Sequence, residues 1–249
     1  MRNIGNYTKE YIDKNHYSFE KYQVEYRRNN LLNIIDKYKP KTILEIGCGT
    51  EPLFQYIEKF ENFVTVEPSK EFYKIACNLK RQPNIKIIND FIENIDLNEK
   101  FDMISISSLL HEIKDSAKII NSIKRYLHVD SIIYANVPNA RSFHRLLAYE
   151  SGLIENIHEK SENQKKFQQA HTFDLNSFQQ LFKENDYKIT EKGSYFIKPF
   201  AHSQMAALLE KDIISEKVID GLDNMAKYCP DLGSEIYIIA KYLHSERIE

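Results

Sequence analysis

The stretch 43-ILEIGCGTEP-52 decides the fold. An apolar run ending at Gly47 and Gly49 reads as a strand entering a tight turn, where glycine lets the backbone bend and approach a ligand closely. The dinucleotide-binding pattern asks for a third small residue, in Gly-x-Gly-x-x-Gly, and for a bare helix N-terminus to receive a pyrophosphate. Here Pro52 stands in that third place, Glu51 lies beside the expected helix start, and Glu45 precedes the turn. Two carboxylates oppose a diphosphate and suit a ligand that carries positive charge.

Working outward, TILEI (42–46), NFVTV (62–66), IKII (85–88), FDMISI (101–106) and SIIYANV (131–137) read as strands. Pro52, favoured in a first turn, is expected to open a helix after the first of them. Ser69 is placed to cap a helix whose Phe72, Ile75, Ala76 and Leu79 form one apolar stripe. Asp115 opens another, with Ile119, Ile120, Ile123 and Leu127 inward. Upstream, Phe19, Tyr22, Tyr26, Leu31, Ile34, Ile35 and Tyr38 fall near one helical face, with a basic break at Arg27-Arg28 and a stop at Lys39-Pro40. Strands alternating with helices of this length predict βαβ units and a parallel sheet covered on both faces.

After Pro138 the rhythm changes. Residues 141–172 are polar and rich in His, Lys and Gln, and read as an insertion over the sheet's carboxyl edge. A helix over 174–184, a strand at 187–197, a helical stretch over 201–227 and a strand at 235–242 follow. Two late strands without the usual crossover helix predict a closing antiparallel pair. The chain is expected to form one domain (1–249). It comprises an N-terminal helical lid (1–38), a ligand-binding core (39–138), an acceptor-side insertion (139–172) and C-terminal helices and antiparallel strands (173–249).

Composition narrows the function classes. The 249 residues carry a formal net charge of −2, which gives no global attraction to nucleic acid or to an anionic membrane. The first residues lack the apolar segment of a secretion signal and no apolar run approaches spanning length, so a cytoplasmic protein is expected. Cys48, Cys77 and Cys229 are far apart, so neither a disulfide framework nor a structural zinc site is indicated.

With these residues in place, ILEIGCGTE resembles the first motif of the class I S-adenosylmethionine (SAM)-dependent methyltransferases, with Glu51 where the commonest form has glycine. SAM carries a sulfonium and an amino group and no phosphate, in keeping with the acidic turn. Three further matches fall in register. Glu67, twenty residues past Gly47 and followed by Pro68, is placed to take the ribose hydroxyls. Asp90-Phe91 looks like the family's adenine site. The fourth strand runs through Ser107 into SSLLHE, similar to the segment just past the methyl donor. The resemblance implies a Rossmann-like, doubly wound, mostly parallel seven-stranded sheet with a C-terminal antiparallel pair and helices on both faces. It implies SAM as cofactor, with S-adenosylhomocysteine (SAH) as product, bound by Tyr17, Arg27, Glu45, Gly47, Cys48, Gly49, Glu67, Pro68, Asp90, Phe91 and Ser107. In related enzymes an N-terminal segment folds over the cofactor, and Tyr17 and Arg27 are the candidates for its carboxylate.

The acceptor is approached by exclusion. The place that holds Asn/Asp-Pro-Pro-Tyr in amino-methylating DNA enzymes is Ser107-Ser108-Leu109-Leu110 here, and the Pro-Cys nucleophile of cytosine C5 methylation is absent. NVPNARSFHRLL, AHTFDLNSFQQLF and GSYFIKPFAHSQM resemble methyltransferases of surface-polysaccharide and other sugar-modifying pathways. They imply O-methylation of a small-molecule or sugar-linked acceptor, including a phosphoryl or phosphoramidate group attached to a sugar. His111 and His171 are the candidate bases, because a neutral imidazole accepts a proton near pH 7. Glu112 beside His111 is read as helix-cap chemistry. His144 with Arg141 and Arg145 has two readings, an anion site or a solvated basic face. Tyr195 and Lys198 either line the acceptor pocket or pack the late strand. No metal site is expected, and a homodimer is compatible with the reading. The alternatives are an N-methyltransferase on an amino sugar or small amine, an NAD-dependent oxidoreductase on the same architecture, and a non-catalytic methyltransferase-like partner.

Overall fold

A computed structural model describes residues 4–12 and 19–243. Seven strands form one sheet: β1 (Thr42–Ile46), β2 (Asn62–Val66), β3 (Ile85–Ile88), β4 (Phe101–Ser107), β5 (Leu127–Pro138), β6 (Tyr187–Tyr195) and β7 (Glu235–Tyr242), in the order β3-β2-β1-β4-β5-β7-β6. The first five are parallel, and β7 runs antiparallel between β5 and β6. The expected antiparallel closure is therefore present. Its direction matters for the site: β7 enters the sheet at the edge where β1, β2, β4 and β5 leave it. Pro138 at the end of β5 and Tyr195 at the end of β6 both pair with Glu235, the first residue of β7.

Alternation along each strand divides the core. Leu44, Val64, Ile104 and Ile133 face α4 (Ser116–Ser122) and α7 (Leu175–Lys183). Ile43, Phe63, Met103 and Ile239 face α2 (Glu20–Tyr38), which contributes Leu31, Ile34 and Ile35. The amino-terminal half of α2 packs Tyr22 and Tyr26 against Phe196, Met205 of α8 (His202–Glu210) and Ile219 of α9 (Glu216–Asn224). The Arg27-Arg28 pair does not break α2; both side chains turn from the apolar face toward acids elsewhere in the chain. Lys39, in the left-handed region at φ 49°, ends the helix one residue before Pro40.

The helix caps follow the sequence. The Ser69 hydroxyl accepts from Phe72 N–H at the start of α3 (Lys70–Leu79), Asp115 accepts from Lys118 N–H, and Asp174 forms a capping box with Ser177. The helix expected from Pro52 does not form; a single 3₁₀ turn, Leu53–Gln55, stands there instead. Only nine residues separate Pro52 from β2, and Leu53, Phe54 and Ile57 are drawn into the core, which leaves no length for a helix and a return. Phe196 adopts a left-handed φ of 54°, which stops β6 short of the expected residue 197. The polar insertion carries α5 (Phe143–Glu150) and α6 (Glu162–Lys166) and is tied back where the His111 carbonyl accepts from Ala170 and His171 N–H, at 2.8 and 2.9 Å. The short helix α1 (Ile4–Ile12) lies against the start of α3: Thr8 and Ser69 share a hydrogen bond of 3.0 Å, and Tyr7 and Tyr11 pack on Phe72.

Candidate active site

The converging strand ends open into one cavity of about 1730 Å³, beyond the roughly 300–1,000 Å³ usual for a single small ligand. It has room for a cofactor and an acceptor together. At one end the glycine turn is held by Gly47 N–H on the Val66 carbonyl (2.9 Å), with φ of +75° at Gly47 and +55° at Gly49 that only glycine adopts cheaply. An added Cβ at either position would meet nothing closer than 3.6 Å, so the turn is open on its ligand side.

Glu67 organises this end. One carboxylate oxygen accepts from Cys48 N–H (3.0 Å) and Gly49 N–H (3.4 Å), and the other from Ser69 N–H (2.8 Å). The Cys48 thiol also approaches the first oxygen, at 3.8 Å, while the second oxygen holds only Ser69 N–H and keeps one acceptor position for a ligand hydroxyl. Burial pushes the Glu67 carboxyl up and the three amides partly offset it. Pro68 and Phe91 stand on the wall; Phe91, 42% exposed, presents part of an apolar ring. The Ser107 hydroxyl donates to the Asn136 side-chain oxygen (2.8 Å) at the floor. Tyr11 of α1 closes the top, 3.9 Å from where a Cβ on Gly49 would lie.

Several expected ligand residues have other partners. Asp90 is not on the cavity wall: it accepts from Phe91 N–H (2.7 Å) and Asn94 (2.8 Å), capping the short turn at 92–94. Glu45 is 6% exposed and braces the floor, accepting from Leu53 N–H (2.9 Å) and the Thr65 hydroxyl (3.0 Å). Burial raises its carboxyl to about 8, so it is largely uncharged near neutrality. Glu51 is paired with Arg28 (2.7 Å), whose guanidinium lies over the Tyr56 ring, 4.2 Å from its centre. The two acids that gave the turn its negative character in the sequence are thus neutralised by burial and by a salt bridge. The cationic-ligand argument built on them does not carry over to the folded chain.

The other end of the cavity is polar and comes from distant segments. Glu235 is 2% exposed and receives the bidentate guanidinium of Arg27, the Tyr195 hydroxyl and Asn136 Nδ2 (2.7 Å). Arg27 lines the cavity with its charge committed to Glu235, and Glu20 stands 3.8 Å behind it. Lys198, buried at 5% exposure, also faces the cavity. His144 and His202 complete this wall; withdrawal from water lowers both imidazoles, and Lys198 lowers them further, His202 to about 3. His202 Nδ1 lies 3.4 Å from Glu20.

Of the two candidate bases, His111 is on the cavity wall, buried and 3.9 Å from Glu112. His171 is not: its ring turns outward, Nε2 at 3.0 Å from the Lys114 carbonyl, because its amide is pinned to His111. Tyr17 lies outside the described residues. Among the described residues no group of three His, Cys, Asp or Glu side chains is arranged to hold a metal ion.

The family model for a methyltransferase domain matches residues 16–192, well over half of the chain. The chain belongs to the class I SAM-dependent methyltransferases. Solved structures carry the same fold. The N-methyltransferase NodS from Bradyrhizobium japonicum WM9, crystallised with SAH, matches with a TM-score of 0.59 at 12% identity, over 97% of this chain and 98% of its own. The plantazolicin methyltransferase BamL, in complex with a triazolic desmethylPZN analogue and SAH, matches with a TM-score of 0.56 at 17% identity, over 96% of each chain. A SAM-dependent methyltransferase from Clostridium acetobutylicum ATCC 824 gives 0.55 at 12% identity, over 87% of this chain and 91% of its own. No curated protein matches the chain.

Sequence reading of this methyltransferase missed Glu235 and His202. The signal for Glu235 was available: a lone acid opens the apolar run EIYIIAKY, and an antiparallel last strand brings that first residue to the ligand edge. His202 had no such signal, since nothing local ties the loop after β6 to α2. No helix among the described residues is long and apolar enough to cross a membrane.

Proposed function

We propose that this methyltransferase transfers the methyl group of SAM to a hydroxyl of a small-molecule or sugar-linked acceptor held at the polar end of the cavity, such as a precursor of a capsular or surface polysaccharide. The residues at the opposite end fit the cofactor: Glu67 keeps an acceptor position for a ribose hydroxyl, Phe91 offers a flat face for the base, and the glycine turn is open for the chain that carries the sulfur. When bound, SAM supplies an electrophilic methyl group on a sulfonium that is its own leaving group, so the protein's task is mainly alignment and deprotonation of the acceptor. Helix α1, through Tyr11, would act as a lid over that end and exclude water. In this reading the chain is one domain that works as a cytoplasmic enzyme without a nucleic-acid partner, alone or as a homodimer.

The observation that carries the hydroxyl reading is the charge balance of the polar end. Its two carboxylates, Glu20 and Glu235, are matched by Arg27 and Lys198, and its partly buried imidazoles His144 and His202 are kept neutral. Taken together the group offers an ammonium no net negative charge, whereas a neutral or anionic oxygen acceptor meets no net repulsion. His111, just past the strand end that carries Ser107, is the candidate to take the hydroxyl proton. A second reading, methylation of an amino sugar or small amine, is favoured by Glu20, whose carboxylate faces the cavity and would receive an ammonium. NodS, described as an N-methyltransferase, carries amine chemistry on the same fold. Incubating the enzyme with carbon-13-methyl SAM and a cell extract distinguishes the two. The carbon shift of the transferred methyl reports attachment to oxygen, and a nitrogen-bound methyl would refute the main reading.

A further inference from the structure

At the polar end Lys198 carries a charge that the fold leaves unpaired. Its side chain is 95% removed from solvent and turned to the cavity, and among the described residues its ammonium makes no hydrogen bond or ion pair. Glu235 is not available to it, since Arg27, Tyr195 and Asn136 fill that carboxylate. Glu20 is near enough to act electrostatically but lies nearer to Arg27 and His202. With its stem buried and its ammonium open to the cavity, the side chain offers donors that a ligand's acceptor can meet in place of water.

Its backbone is fixed rather than adaptable. Phe196 stacks on Tyr26 (4.7 Å between ring centres) and on Phe19 (6.0 Å). Phe196 N–H donates to Asp223 (2.9 Å) and Ile197 N–H to the Leu222 carbonyl (3.1 Å). The ammonium is therefore delivered to one place, before any ligand arrives. Of the other cations on this wall, Arg27 is bound to Glu235 and Arg145 to the carbonyls of Ile157 and Glu159, so the Lys198 ammonium is the charge left without a hydrogen bond or ion pair among these three.

We propose that Lys198 binds an anionic group of the acceptor, a carboxylate or phosphoryl oxygen, and so selects anionic acceptors for methylation. This rests on the polar end being the acceptor site of a SAM-dependent enzyme. Loss of hydration lowers Lys198 to about 8, and an arriving anion would restore its full charge, so binding should strengthen below that pH. The wall that faces it contributes Glu20 and Arg27 from α2, Glu235 from β7, His144 and Arg145 from α5 and His202 from α8.

The test uses the full chain saturated with SAH, titrated separately with inorganic phosphate and with acetate while the thermal midpoint is followed. Wild type should be stabilised by at least one of them, which separates phosphoryl from carboxylate preference. Lys198→Met should bind that anion about tenfold more weakly or worse, the loss of a charge-assisted hydrogen bond. Lys198→Arg, which keeps the charge, should retain the effect, whereas a role as proton acceptor would be lost in both variants. Equal stabilisation of wild type and Lys198→Met, or none of wild type, overturns the proposal. SAH affinity measured in the same samples separates the failures. If wild type does not bind SAH, the cofactor reading falls; if SAH binds and the anions do not discriminate, only the role of Lys198 falls.

Discussion

Replacing Glu45 by glutamine should stabilise the protein, and increasingly so as the pH rises. The carboxyl is buried and holds two donors, Leu53 N–H and the Thr65 hydroxyl. A glutamine keeps both: its carbonyl accepts from Leu53, and its amide turns to the lone pairs of the Thr65 oxygen. Burial raises Glu45 from 4.5 to about 8, against the partial opposition of those two donors and with a further push from Glu67. In the unfolded chain the group ionises near the lower value, so between the two the folded state binds the extra proton. Stability from this group is complete at low pH, falls as the pH rises through the window, and levels off above about 8. One proton over that window is worth about 1.4 kcal/mol per pH unit, or roughly 5 kcal/mol in all. Glutamine resembles the protonated carboxyl and suffers none of this loss. Urea unfolding of both proteins at intervals between about pH 5 and about pH 8 measures the difference, and Glu67, present in both, largely cancels. The gap should widen by about 1.4 kcal/mol per unit. Two parallel curves would refute the claim that Glu45 is held neutral.

Glu235→Ala should lower stability by about 3–5 kcal/mol in urea unfolding, because it leaves the Arg27 guanidinium buried without its counter-charge. Gly233→Ala places a Cβ 2.4 Å from the Tyr195 carbonyl oxygen, which is backbone and cannot swing away; a loss of about 1–3 kcal/mol in thermal unfolding is expected. Glu67→Gln must turn an amide N–H₂ toward Ser69 or toward the glycine turn, so SAH affinity by calorimetry should fall about tenfold or more. Tyr11→Ala should also weaken SAH binding, by about tenfold, with little change in unfolding, since the ring is partly exposed and packs over the turn.

The fold was legible because its determinants are local. Alternating apolar residues, the caps Ser69, Asp115 and Asp174, and the Gly47–Gly49 turn act within a few positions of themselves. The end proposed for the cofactor follows from the same logic, since strands of fixed length carry Gly47, Glu67 and Ser107 to one edge. Electrostatics were not. A sequence presents Glu45 and Glu51 as two bare charges, while the fold buries one and brings Arg28 to the other across 23 positions. Pro52 misled for a related reason: its helical preference is weak beside the pull of Leu53, Phe54 and Ile57 into the core. His171 was a candidate base, but a backbone contact to His111 turns it out. Glu235 and Lys198 could be placed only once the direction of β7 and the turn at Phe196 were known.

The pairing of Arg27 with Glu235 spans 208 positions, whereas the contacts that shape the glycine turn span about twenty or fewer. A chain emerging during synthesis has therefore released the residues of the proposed cofactor end well before Glu235, so the opposite end is completed last, when β7 enters the sheet between β5 and β6.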